Sequence, residues 1–102
     1  MSIRPLAHRQ NRKLLAMRKL IEYIARSLVD HPEAVQVREV RNDRSVLALE
    51  LRVAQDDFGK VIGRQGRVAK AMRSILRAAG ARQEKHTSLE IDERPSYPPA
   101  QN

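Results

Sequence analysis

The sequence contains no cysteine and no tryptophan, and only 3% of its residues are aromatic. The absence of cysteine excludes disulfide bonds, thiolate metal sites and a cysteine nucleophile, and it is compatible with a reducing cytosol. Apolar runs are short, since no stretch approaches the roughly 20 residues that a membrane-spanning helix requires. Residues 1–19 lack the apolar block of a secretory signal peptide. The scarcity of aromatic rings argues against nucleic-acid-binding folds that stack bases on such rings.

Positive charge is abundant and unevenly distributed along the 102 residues, whose net charge is +8. Residues 1–19 carry six basic residues and no acid, and residues 60–85 carry eight basic residues and one acid. Clustered positive charge attracts polyanions, although a solubilising surface is the simpler alternative. A hydrophobic content of 41% predicts that the chain folds as one domain with one core.

The first half of the chain predicts a helix followed by two strands. Apolar spacing over residues 17–29 is typical of a helix with one buried stripe, and Asp30-His31-Pro32 ends it. Residues 35–40 are rich in β-branched side chains, and residues 46–53 alternate with a period of two. The two strands should pair as an antiparallel hairpin.

The second half predicts two helices and a strand. Asp56 and Asp57 are expected to cap a short helix that ends at Ile62, and a longer helix is expected over residues 67–79, with Gly80 as its stop. On a helical wheel the longer helix has adjoining apolar and basic faces. The apolar face contains Val68, Ala69, Met72, Ile75, Leu76 and Ala79, and the basic face contains Arg67, Lys70, Arg73 and Arg77.

The resulting element order defines the expected fold class. Residues 87–92 alternate again and predict a third strand, so the order is helix, strand, strand, helix, helix, strand. This order predicts an α+β domain in which a three-stranded sheet is packed on one face by three helices. We expect residues 1–16 to be a flexible basic arm, residues 17–93 to be the domain, and residues 94–102 to be a flexible tail.

The turn between the two later helices is the candidate site. Gly63 and Gly66 permit unusual backbone angles, and they remove side chains that would hold a ligand backbone away. The helix that follows directs its free amides and positive dipole end toward the turn, which favours an anionic phosphodiester. Arg64 and Gln65 can donate hydrogen bonds to phosphate oxygens. Further attraction is expected from the flanking Lys60, Arg67 and Lys70.

The segment Val61-Ile62-Gly63-Arg64-Gln65-Gly66 resembles the (I/V)-I-G-x-x-G core of the KH domain. The element order resembles the bacterial type II arrangement, and residues 17–93 as a whole are similar to the KhpA family of bacterial single-KH proteins. The resemblance implies that the turn clamps about four nucleotides of single-stranded RNA, with bases in a groove beside it. The implied groove walls are Val61, Ile62, Val68 and the edge of the second strand.

The resemblance also implies a biological setting. KhpA-like proteins are cytoplasmic RNA-binding proteins that act as RNA chaperones and are linked to cell length, cell shape and cell-wall homeostasis. They self-associate, and they pair with a larger Jag-type KH RNA-binding protein. This chain differs in its N-terminal arm, because such proteins usually begin near the position of Met17.

Other classes of function have less support. His8, His31 and His86 lack metal-ligand spacing, no serine has a visible base, and the glycine spacing fits neither a dinucleotide-binding fingerprint nor a P-loop. We therefore expect no enzyme activity, catalytic residue, metal or cofactor. A protein-interaction subunit with secondary RNA contact and a single-stranded DNA binder remain alternatives. Changing Gly63 and Gly66 to Asp is expected to abolish RNA crosslinking without unfolding the protein.

Overall fold

A computed structural model describes the backbone of residues 3–94 and the side chains of residues 12–94. Within these residues the order helix, strand, strand, helix, helix, strand confirms the predicted α+β class. Residues 95–102, which form most of the predicted C-terminal tail, lie outside the described residues. The elements are α1 (Ile3–Leu28), β1 (Gln36–Asn42), β2 (Val46–Arg52), α2 (Phe58–Ile62), α3 (Arg67–Ala81) and β3 (His86–Ile91).

The sheet has the strand order β1-β2-β3, so β2 is the central strand. The predicted antiparallel hairpin of β1 and β2 is confirmed, with Val37 opposite Leu51, and a bulge lies between Glu39 and Arg41. β2 and β3 run parallel. Because both edges of β2 are hydrogen-bonded to neighbours, the expectation that its edge lines the groove is wrong. The two edge strands are β1 and β3, and β3 is the one that packs beside α3.

The core lies between one face of the sheet and the helices α1 and α3. Alternate side chains of β2 point into it, and Leu47, Leu49 and Leu51 are almost completely buried. Burial of such side chains supplies most of the stabilisation of a small domain, at about 1.5–3 kcal/mol each. The helices contribute Ile21 and Ala25 from α1 and Met72 and Leu76 from α3.

Helix α1 begins before the predicted domain boundary. Leu14 is only 6% exposed and extends the buried stripe of Met17 and Ile21 toward the N-terminus. Pro5 falls within the first turn of α1, where the N–H that proline lacks would have no helical partner. The helix therefore crosses residue 16 without interruption, whereas independent movement of residues 1–16 stays a prediction.

Helix α3 differs from the prediction in two respects, which are the exposure of one side chain and the residue at which the helix ends. Ile75 was expected on the packed face, but it is 41% exposed. Gly80 was expected to stop the helix, yet α3 continues to Ala81 and buries Gly80 against β3. A Cβ atom at Gly80 would lie 2.3 Å from Cγ2 of Thr87. The fully buried residues of α3 are Ala69, Met72, Leu76 and Gly80.

Candidate nucleic-acid interface

Three residues of the turn between α2 and α3 have a positive φ angle. Gly63 has φ 77° and ψ 171°, Gln65 has φ 56° and ψ 25°, and Gly66 has φ 76° and ψ 15°. L-amino acids other than glycine rarely adopt such angles. The backbone leaves α2 at Ile62 and enters α3 at Arg67, so the turn lies at the N-terminal end of the basic helix.

The two glycines have different physical roles. A Cβ atom at Gly63 would lie 2.8 Å from the backbone nitrogen of Val68, which cannot move without disturbing α3. A Cβ atom at Gly66 would meet no atom within 4 Å. Gly63 is therefore required by the fold, while Gly66 leaves open space from which a ligand can approach. The expectation that both glycines can become Asp without unfolding is corrected for Gly63.

Alanine substitutions should separate these two roles. We expect Gly63→Ala to lower the free energy of unfolding by about 2 kcal/mol, because it combines positive φ with a steric clash. Gly66→Ala has positive φ without the clash, and we expect a loss of about 1 kcal/mol. Urea denaturation of both variants measures the difference. Equal losses would show that the contact with Val68 relaxes without penalty.

Backbone amides at the turn are available to an anion. The amide of Gly66 donates to the carbonyl of Gly63 at 3.1 Å, and the amide of Arg67 donates to the carbonyl of Arg64. Within residues 3–94, the structure shows no backbone acceptor for the amides of Arg64 and Gln65. These two donors lie beside the positive dipole end of α3, which favours a phosphate oxygen.

Three of the predicted cationic residues, Arg64, Arg67 and Lys70, lie in the turn or in the first turn of α3. Arg64, Gln65, Arg67 and Lys70 are all exposed, and among the described residues none of the three cations forms an ion pair with a carboxylate. Their charge is therefore not neutralised from within the domain. Positive charge at this position raises the local concentration of polyanions.

Lys60, by contrast, is held by two carboxylates. Its Nζ lies 3.1 Å from Oδ2 of Asp30 and 3.4 Å from Oδ1 of Asp57. The hydrogen bond and the negative charge of Asp30 raise the pKa of the Lys60 ammonium. Lys60 therefore connects α2 to the segment that follows α1, and its charge is paired within the domain, unlike the charges of Arg64, Arg67 and Lys70.

Asp57 is a structural residue whose position the sequence did not reveal. Its side chain is buried and makes no cap hydrogen bond to α2, so the expected capping role is wrong. Instead its carboxylate accepts from the amides of Asp30 and His31, at 3.0 Å each. Burial raises the pKa of Asp57, but these two donors and Lys60 outweigh burial and lower it. The doublet Asp56-Asp57 gave no signal of which carboxylate faces inward.

The three predicted aliphatic wall residues of the groove, Val61, Ile62 and Val68, differ in how deeply they are buried. Val61 has no exposed surface and belongs to the core, so its side chain supports the turn from beneath. Ile62 and Val68 are half-buried on either side of the turn. These two residues, rather than Val61, present apolar surface next to Gly63 and Gly66.

A groove runs along α3 on the side of β3. Its first depression has a volume of about 190 Å³ and is lined by Arg73, Leu76, Arg77, Thr87, Ser88 and Leu89. The Nε atom of Arg73 donates to the carbonyl of Leu89 at 2.9 Å, which covers part of the free edge of β3. The groove therefore combines an apolar floor with cationic and hydroxyl groups along its rim.

Among the side chains of residues 12–94, no three His, Asp or Glu lie close enough together to hold a metal ion. No helix within residues 3–94 is both long enough and apolar enough to cross a membrane.

A G-x-x-G turn between two helices, inside an α-β-β-α-α-β domain with a three-stranded sheet, defines a KH domain of the type II arrangement. The sequence model of the family described as KhpA/KhpB, KH domain matches residues 18–91. The chain belongs to this family.

Curated relatives cover the same part of the chain. RNA-binding protein KhpA of Clostridium acetobutylicum is 52% identical over 75 residues, which are 74% of this chain and 99% of that protein. RNA-binding protein KhpA of Halalkalibacterium halodurans is 51% identical over 75 residues, 74% of this chain and 97% of the relative. That of Listeria monocytogenes is 46% identical over 77 residues, 76% of this chain and all of the relative. No solved structure gives a significant match.

Proposed function

We propose that this protein binds single-stranded RNA and grips its backbone at residues 63–66. The observation that carries the proposal is the pair of open amides of Arg64 and Gln65 at the head of a basic helix. The names of the curated relatives, RNA-binding protein KhpA, give independent support.

The surroundings of the turn suit unpaired nucleotides. A phosphate that accepts hydrogen bonds from the amides of Arg64 and Gln65 brings the adjoining bases beside the half-buried Ile62 and Val68. From there the bases can enter the groove between α3 and β3, where Arg73 and Arg77 line the rim. Base edges are accessible in this way only in a single strand, because an A-form duplex keeps them paired.

Removing charge at the turn tests the electrostatic part of this proposal. We expect the double variant Arg64→Gln and Arg67→Gln to bind single-stranded RNA about 10-fold more weakly near 0.1 M salt. The loss of two phosphate contacts should also make the plot of log K against log salt shallower by about 1.4. Fluorescence anisotropy with a labelled oligonucleotide measures both quantities.

A matched control removes the same charge from the opposite edge of the sheet. Arg38 and Arg41 lie on β1 and pair with Glu50 and Asp43, so Arg38→Gln with Arg41→Gln should leave the salt dependence for a strand of about five nucleotides almost unchanged. Competition with duplex RNA and with single-stranded DNA of the same sequence completes the test. Equal competition by duplex RNA contradicts the proposal, and preference for DNA favours the DNA alternative.

The finer biological role is also a proposal. From the family resemblance we infer a cytoplasmic RNA chaperone that acts as a homodimer or with a larger Jag-type KH protein and influences cell length and cell-wall homeostasis. The family description joins KhpA with KhpB, which supports a paired mode of action. A site for about four nucleotides gives modest affinity, and joining two such sites raises it through avidity.

A further inference from the structure

A second cluster of cations lies at the far end of α3 from the turn. A small cleft of about 40 Å³ is found there, between α1, the β1–β2 turn and the α3–β3 connection. Three of its five lining residues are cationic, and none is acidic. The lining residues are Lys13, Leu14, Arg44, Gln83 and Lys85.

The fold positions two of the three cations of this cleft, and among the described residues none of the three pairs with a carboxylate. Burial of Leu14 fixes this part of α1 against the core, which positions the neighbouring Lys13. The ammonium of Lys85 donates to the backbone carbonyl of Asp43, which is a neutral acceptor. The carboxylate of Asp43 is occupied by Arg41, at 2.7 Å, and by the amides of residues 45 and 46. The cleft therefore keeps a surplus of positive charge.

Shared lining residues link the cleft to the groove between α3 and β3. It shares Lys85 with a depression of about 460 Å³, which in turn shares Arg77 and Thr87 with the groove between α3 and β3. Glu84 is the acidic residue along this path, and His86 adds a further polar group. The path follows the 15 residues of α3, a length of about 22 Å at 1.5 Å per residue.

We propose that this cleft is a second phosphate-binding site, which takes the backbone of the same RNA strand after it has passed the turn. The inference rests on the function proposed above. About four nucleotides of the strand contact the turn. A compact strand rises about 3.4 Å per nucleotide, so a further 22 Å accommodates up to roughly six more nucleotides. Lys13 precedes residue 18, where the family match begins, so the early part of α1 lengthens the RNA footprint.

The test compares two RNA lengths. Lys13→Gln with Arg44→Gln should leave binding of a single strand of about five nucleotides unchanged, because the turn alone holds it. Binding of a strand of about fifteen nucleotides should weaken about 5-fold to 10-fold, with a salt slope shallower by about 1.4. Lys19→Gln with Arg38→Gln removes the same residue types outside both sites, and it should leave both lengths unchanged. Arg44→Gln alone, in the β1–β2 turn, should give a smaller loss for the long strand.

The outcomes separate this inference from the proposed function. If Gly66→Asp, which adds a negative charge at the turn, weakens the short strand but Lys13→Gln with Arg44→Gln leaves the long strand unaffected, the second site alone is refuted. If Gly66→Asp has no effect on either length, the turn site itself fails. If Lys13→Gln with Arg44→Gln weakens binding of both lengths equally, these residues act through the overall positive charge of the protein and not as a second site. Polyglutamate serves as a probe for an acidic protein partner. If Lys13→Gln with Arg44→Gln loses binding of polyglutamate while binding of the long RNA is unaffected, the cleft is assigned to an acidic protein instead.

Discussion

Replacing Gly66 with Asp is expected to weaken binding of a short single-stranded RNA by about 30-fold to 100-fold, whereas Gly66→Asn should weaken it by about 3-fold or less. The two side chains are nearly equal in size, and both tolerate the left-handed backbone region better than other residues do. Open space at Gly66 accepts either of them. The difference is therefore one negative charge placed where a phosphate is proposed to sit.

The expected size of this effect follows from electrostatics. Two like charges a few ångströms apart near a protein surface repel by up to about 4 kcal/mol, and salt screens part of that energy. A remaining 2–2.7 kcal/mol corresponds to roughly 30-fold to 100-fold in affinity. Anisotropy titration with an oligonucleotide of about five nucleotides measures it, and circular dichroism checks that both variants fold alike.

Two results would contradict this expectation in different ways. Equal weakening by Asp and Asn would mean that the side chain blocks the site by its volume and that no phosphate lies near Gly66. Unchanged binding by both variants would remove the turn from the RNA site. A third result concerns the protein-interaction alternative. If Gly66→Asp still captures its protein partner, and this capture alone accounts for the RNA recovered from cells, that alternative is favoured.

Replacing Asp57 with Ala is expected to lower the free energy of unfolding by about 3–4 kcal/mol. The change leaves the amides of Asp30 and His31 without the carboxylate that accepts their hydrogen bonds, and removing an acceptor from part-buried donors is strongly destabilising. It also takes one of two carboxylates from Lys60. A loss of this size is a large fraction of the stability of a small domain.

The neighbouring acid provides a matched control. Asp56 is exposed, and Asp56→Ala should change the free energy of unfolding by no more than about 0.5 kcal/mol. Urea denaturation of the two variants gives both values from the same experiment. Comparable losses at the two positions would revive helix capping as the shared role and would contradict the buried network.

Acid titration tests the same network, because the lowered pKa of Asp57 determines the direction in which stability changes with pH. The folded protein holds this pKa below its ordinary value of 3.8. The carboxylate therefore contributes stability that is fully present above 3.8 and is lost as the pH falls through the lowered folded-state pKa. Asp57→Asn keeps one acceptor but cannot titrate. The difference in stability between the natural protein and this variant should shrink at low pH, and a constant difference would contradict the assignment.

Several features of the site could be predicted from neighbouring residues alone. Asp30-His31-Pro32 ended the first helix as expected, and the alternation in residues 46–53 identified the strand that became β2. The glycine spacing placed the turn between two helices at the head of a basic face. Each of these properties depends on backbone angles or on the burial of residues a few positions apart, which a local pattern records.

Other features needed contacts between distant parts of the chain. Sequence patterns could not show that β3 rather than β2 has the free edge, because strand order depends on which elements pair. They could not distinguish the fold requirement at Gly63 from the open position of Gly66, since the difference lies in the approach of Val68. The exposure of Ile75 and the close approach of Gly80 to Thr87 likewise depend on how α3 packs against the sheet.

The sequence by itself determined the order of the elements, the G-x-x-G turn and the concentration of positive charge, because periodicity, glycine and charge act over short stretches of chain. Only the tertiary structure decided which of these residues act together. It placed Lys60 in ion pairs with Asp30 and Asp57. It also brought Lys13, Arg44 and Lys85 to one cleft. Such groupings arise when the core packs, since burial of Leu14 and the β2 leucines fixes the positions of residues that lie far apart in the chain.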